Sequence, residues 1–90
     1  VLVIPTQLTH AQAAACARML AQALQSESQP QAVVDASPLQ AFDSSAIAVL
    51  LECRREALAM GKTFAVAHMP ARLRELAVVY GVSELLQPAA

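Results

Sequence analysis

Glycine is nearly absent from this chain, with only Gly61 and Gly81 in 90 residues. Both sit where a helix would end, so no Gly-rich phosphate-cradling loop can be drawn. Aromatics are as scarce, with two Phe, one Tyr and no Trp, which argues against a bulky aromatic core. Charge is low at 14%, against about 25% in an average soluble protein. Six basic and seven acidic residues leave a net charge of −1, which gives no footprint for DNA, RNA or anionic lipid headgroups. The longest uninterrupted apolar run, Ala46 to Leu51, is far below the ~20 residues of a membrane span. No charged segment followed by an apolar one marks a signal peptide, although a start at Val1 without Met suggests that the true beginning is missing. Two cysteines do not make a secreted disulfide framework. Cys16 and Cys53 both lie in Ala/Leu-rich helical patterns, where a free thiol behaves as a small buried hydrophobe. A disulfide between them stays open, and the expected setting is cytosolic and reduced.

What the chain has in quantity is apolar residues, 57% of the total, of which 20 are Ala. Disorder is therefore excluded. A domain this short hides roughly 60 to 65% of its unfolded surface, and Ala buries little area, so the core must be thin and the helices closely packed. Such a chain is one domain over residues 1–90 with unusually apolar outer faces.

Val1 to Pro5 reads as a short strand closed by Pro. Thr9 and Gln12 have the form of a capping box, and Ala13, Cys16 or Ala17, Leu20 and Leu24 recur at helical spacing. That stripe is expected to lie on a sheet, with Arg18, Gln22 and Gln25 outward. After a loop from Ser26 to Pro30, Ala32 to Ala36 reads as a strand and Ser37 to Asp43 as a turn-rich connection. A second helix starts near Ser44, with Ile47, Leu50, Leu51, Arg54 and Leu58 on one side and Gly61 just past its end. Lys62 to His68 reads as a third strand. Pro70 opens a third helix that ends at Gly81, with Leu73, Leu76 and Ala77 inward. Ser83 to Leu86 reads as a last short helix, after which Pro88 and the two terminal alanines have nothing to pack with. Alternating strands and helices call for a small α/β domain with a mainly parallel sheet, and a small edge strand is expected before Val1.

Constellations for catalysis are largely missing. His10 and His68 have no Cys or His at ligand spacing, so no metal site is expected. Ser44, His68 and Asp35 could be drawn as a triad, but no nucleophile-elbow motif supports it. One local feature stands out, the acidic-hydroxyl cluster Asp43-Ser44-Ser45 at a strand-to-helix turn. A helix start leaves about four N–H groups unpaired, and an Asp or Ser cap there contributes ~0.5 to 2 kcal/mol over Ala. One cap suffices for that, and three candidates stand here. Capping is one reading. The other is that a hydroxyl at this turn is a contact or phosphoacceptor site, where added phosphate would act by repelling a partner surface.

The string Val33-Val34-Asp35-Ala36-Ser37, then Phe42-Asp43-Ser44-Ser45-Ala46-Ile47, then Ala57 to Gly61 and the Phe64 to Ala67 strand, resembles the STAS domain family, the fold of anti-sigma factor antagonists. That family's hallmark is a strand ending in Asp, followed by an Asp-Ser/Thr-x-Gly-Leu turn that starts a helix. Ala46-Ile47 stand here where Gly-Leu is usual. The stretch Leu73 to Val82, with its Leu-Ala-x-x-Tyr pattern ending at Tyr80, resembles the MlaB-like STAS subunits of phospholipid ABC transporters at the inner membrane of Gram-negative bacteria. The resemblance implies a small STAS-like α/β domain with a mainly parallel mixed sheet, no cofactor and no catalytic activity. It implies docking on the transporter's cytoplasmic ATPase, support of that enzyme's assembly and activity, and a part in outer-membrane lipid asymmetry. The hydroxyl residue after the turn Asp would lie at the contact, which here is Ser44, flanked by Asp43, Ser45 and Ala46. An alternative implied by the same family is an anti-sigma antagonist switch, in which a kinase-like anti-sigma factor modifies Ser44 or Ser45.

Two further readings stay open. The face of the second helix bearing Ala46, Val49 and Cys53 either meets a partner or packs under the first helix. Tyr80 is either an interface anchor or the last core residue of its helix. Arg72 and Arg74 are expected in solvent.

Overall fold

The computed structural model describes residues 2–88. Along the chain run β1 (Leu2–Val3), β2 (Gln7–Leu8), α1 (His10–Ser26), β3 (Gln31–Asp35), β4 (Ala41–Phe42), α2 (Ser45–Ala59), β5 (Thr63–Ala67) and α3 (Ala71–Val79), then a 3-10 turn over Ser83–Leu85. The main sheet has the order β1-β3-β5, with every described pair parallel. A parallel pair needs a crossover, and α1 and α2 supply them. This is the expected α/β architecture.

Register places Leu2 beside Val34 and sets Ala32 and Val34 opposite Phe64 and Val66. Alternation along a strand then directs these five side chains to one face. All are buried in a single cluster with Cys16, Leu20 and Leu24 of α1, Val49, Leu50 and Cys53 of α2, and Leu73 and Ala77 of α3. The helices therefore share that face of the sheet. On α1 the burial of Cys16, Leu20 and Leu24 matches the expected stripe, but the helix runs chiefly alongside α2, with β1 and β2 as its lesser neighbours.

Local signals act as read. The Gln12 side chain accepts from the Thr9 backbone N–H at 2.9 Å, securing the start of α1. Both glycines take positive φ, +76° at Gly61 and +72° at Gly81. Each closes a helix with paired return bonds, from Lys62 N to Ala57 O and from Val82 N to Ala77 O, both 2.9 Å. Lys62 Nζ then donates to the carbonyls of Glu27 and Gln29 at 2.8 and 2.6 Å, fixing the loop before β3 to the start of β5.

Four readings are corrected. The first strand is confined to Leu2–Val3, with Val1 outside the described residues. The connection after β3 contains β4, which pairs in parallel with β2; two-residue strands have no periodicity to read. Pro70 is the N-cap of α3, not its first helical residue. Pro88 is not idle, because it bridges to Val66, whose N–H donates to the Gln87 carbonyl at 2.9 Å. The terminal alanines lie outside the described residues.

Candidate docking site

β4 delivers the chain to α2 through Asp43 and Ser44. Asp43 Oδ1 accepts from the Ser45 N–H at 2.8 Å, and its Oδ2 accepts from the His10 N–H at 3.2 Å. One carboxylate thus serves the first N–H groups of two helices, α1 and α2, where the positive dipole ends favour an anion. The Ser45 hydrogen bond foremost, then that of His10, holds the Asp43 carboxyl below its ordinary range.

Ser44 occupies the N-cap position of α2 with helical φ and ψ of −61° and −17°, and its side chain makes no capping bond. Its carbonyl accepts from Ile47 and Ala48 at 3.1 and 3.3 Å. Because Asp43 caps, the Ser44 hydroxyl is exposed and has no hydrogen-bond partner among the described residues. Ser45 is different: it is half-buried, and its backbone N–H is bonded to the Asp43 carboxylate. Capping and presentation are therefore divided between neighbours, and Ser44 is the residue presented.

From Ser44 a groove of about 340 Å³ runs over Ile47, Ala48 and Leu51 to Tyr80 and Val82. The first four share one helix face by their three- and four-residue spacing. The far wall is made by the reversal at Gly81, which returns the chain after α3 and places Val82 near Tyr80. Tyr80 is 55% exposed, so it is not a core residue. Val78 and Val79 beside it are exposed too, which makes the end of α3 an apolar surface. Behind the turn, the Arg72 guanidinium lies 5.3 Å from the Phe42 ring centroid, a cation–π contact between α3 and β4. Arg72 and Arg74 are exposed as expected.

Ala46 and Val49 do not belong to this surface. Val49 is 4% exposed and Ala46 fully buried, and with Cys53 they face the α1 side, where the Cys53 thiol senses that of Cys16. The second face of α2 packs under α1. Sequence reasoning favoured the larger side chains and so placed Leu58 inward, but Leu58 is exposed and Ala57 buried. It also missed Ala48, Leu51 and Val82 as groove residues. A stripe headed by Ser44 at helical spacing was the available signal.

The remaining candidates do not assemble. Among the described residues no group of three His, Cys, Asp or Glu could hold a metal ion. Asp35 accepts from the Ser37 N–H at 2.9 Å, and Ser44 is hydrogen-bonded to neither Asp35 nor His68. Cys16 and Cys53 are free thiols, both buried. No helix among the described residues is long and apolar enough to cross a membrane.

Against curated proteins the chain finds no match. A family model described as "Mlab, STAS domain" matches residues 1–87. STAS domains are generally non-enzymatic binding and regulatory modules, which accords with an apolar groove headed by one unengaged hydroxyl. With nearly its whole length matched and its parallel sheet and helices in the arrangement that this fold requires, the chain belongs to the MlaB-like STAS family.

Proposed function

We propose that this domain is a non-catalytic accessory subunit that docks on the cytoplasmic ATPase of an Mla-type phospholipid ABC transporter. It would be held at the inner membrane through that partner, and would contribute to outer-membrane lipid asymmetry. The observation that carries this reading is the Ser44 hydroxyl, exposed and unbonded at the head of a groove that ends on Tyr80. A hydroxyl offers both a donor and an acceptor, and an exposed Tyr at the other end is a typical anchor for a partner surface. Val78 and Val79 extend the apolar area.

Affinity capture of the tagged domain from native membranes, with Ser44→Asp and Ser44→Ala in parallel, tests the reading. Retention of an ABC ATPase, weakened in part by Ser44→Ala and lost with Ser44→Asp, supports it. Recovery of a kinase-like anti-sigma factor, together with a phosphorylated Ser44, would replace it with the antagonist switch.

A further inference from the structure

On the other side of α3 from the docking groove lies a larger cleft of about 430 Å³. Its walls are apolar, formed by Val66, Val78 and Leu86 among others, and its polar groups are His68, Arg74 and Ser83. It opens at the C-terminal end of β5, the end of a parallel sheet at which ligands commonly bind, and its volume lies in the range of small-molecule sites.

The two nitrogen-bearing side chains differ in their surroundings. His68 lies near the Asp35 carboxylate. Arg74 has only a long bond from Nη2 to the Met69 carbonyl, 3.5 Å, and no carboxylate partner among the described residues. His68 is also the only non-glycine among them with positive φ, +57°. Such a conformation is held at a cost, and these outliers concentrate at ligand sites. An apolar cleft with one uncompensated guanidinium suits a ligand with an apolar body and a single anionic end.

We propose that this cleft binds a single-chain anionic amphiphile, a medium-chain carboxylate, with its chain along Met69, Val78 and Pro88 over the buried Val66 and Leu86 and its carboxylate on Arg74. The inference does not rest on Ser44 or Tyr80, and it shares with the docking surface only Val78, which borders both. It is tested by titrating isotope-labelled protein with decanoate, below the concentration at which decanoate forms micelles, and following amide shifts. Decanol is the uncharged control and decyltrimethylammonium the cationic one.

The expected result is saturable shifts at Val66 to Met69, Arg74 to Val78 and Ser83 to Leu86, with decanoate binding about tenfold tighter than decanol. Arg74→Gln should remove that preference and Val78→Asp should abolish binding, each with an unchanged melting midpoint. Equal affinity for decanoate and decanol would overturn the proposal, as would shifts centred on Ser44 to Leu51 or the absence of saturation. If either variant fails to fold, the three-ligand comparison on the unaltered protein decides.

Discussion

Asp43 reaches from the head of α2 to the backbone N–H of His10, 3.2 Å away, at the head of α1. Its other oxygen holds Ser45 at 2.8 Å, so a single carboxylate ties two helix starts together and leaves Ser44 unengaged. The bonds favour the ionised form, and the folded-state pKa is lowered from 3.8. A depressed carboxyl pKa contributes stability that is present above the unfolded value and is lost as pH falls through the folded one. Asp43→Asn should therefore lower the melting midpoint at pH 7, and the gap between variant and parent should close below pH about 3.8. Thermal unfolding across pH 2 to 7 checks this; a gap independent of pH would mean that the charge is immaterial.

The burial pattern of α2 predicts a contrast between two leucines. Leu50 is completely buried, whereas Leu58 is 46% exposed. Leu50→Ala should cost about 2 to 5 kcal/mol, and Leu58→Ala no more than about 0.5 kcal/mol. Denaturant unfolding of the two variants measures both values.

Gly61 has open space where a β-carbon would stand, yet its φ is +76°. The penalty of Gly61→Ala is thus conformational, about 1 kcal/mol, with no steric part. Gly61→Asn should recover some of it, since Asn tolerates the left-handed region better than Ala does. The same unfolding measurement distinguishes the three residues.

Burial pushes the Cys53 thiol up to about 12, with Cys16 and Glu56 adding to the effect, and burial raises Cys16 as well. Both thiols should stay unmodified by a thiol-specific disulfide reagent at pH 8 in the folded protein, and both should react once it is unfolded. Rapid labelling of the native protein would show that α1 lifts from α2.

The features legible in sequence were those with a local cause. Thr9 with Gln12 starts α1, Gly61 and Gly81 stop their helices, and β3 and β5 are apolar runs bounded by turns. What was not legible depends on the fold as a whole. β2 and β4 are two residues each and exist only because Gln7–Leu8 and Ala41–Phe42 are brought side by side. Pro88 gains its place from the free edge of β5. Whether α1 or a partner covers Ala46, Val49 and Cys53 was open in the sequence, because only the packed fold shows that their small side chains let α1 approach closely. At the turn, the family resemblance pointed to Ser44 as the contact, and the residues themselves left open which of Ser44 and Ser45 would be modified. The geometry separates them, since Asp43 engages Ser45 and not Ser44.

The groove between Ser44 and Tyr80 is the docking surface proposed for this domain. The most direct measurement is the affinity of the purified domain for the proposed partner, an Mla-type transporter ATPase, compared among the native chain, Ser44→Asp, Tyr80→Ala and the remote control Arg55→Ala. We expect Ser44→Asp to abolish the complex at micromolar concentrations, Tyr80→Ala to weaken it about tenfold or more, and Arg55→Ala to leave it unchanged. Native affinity in both groove variants would contradict the account and place the partner on another face of the domain.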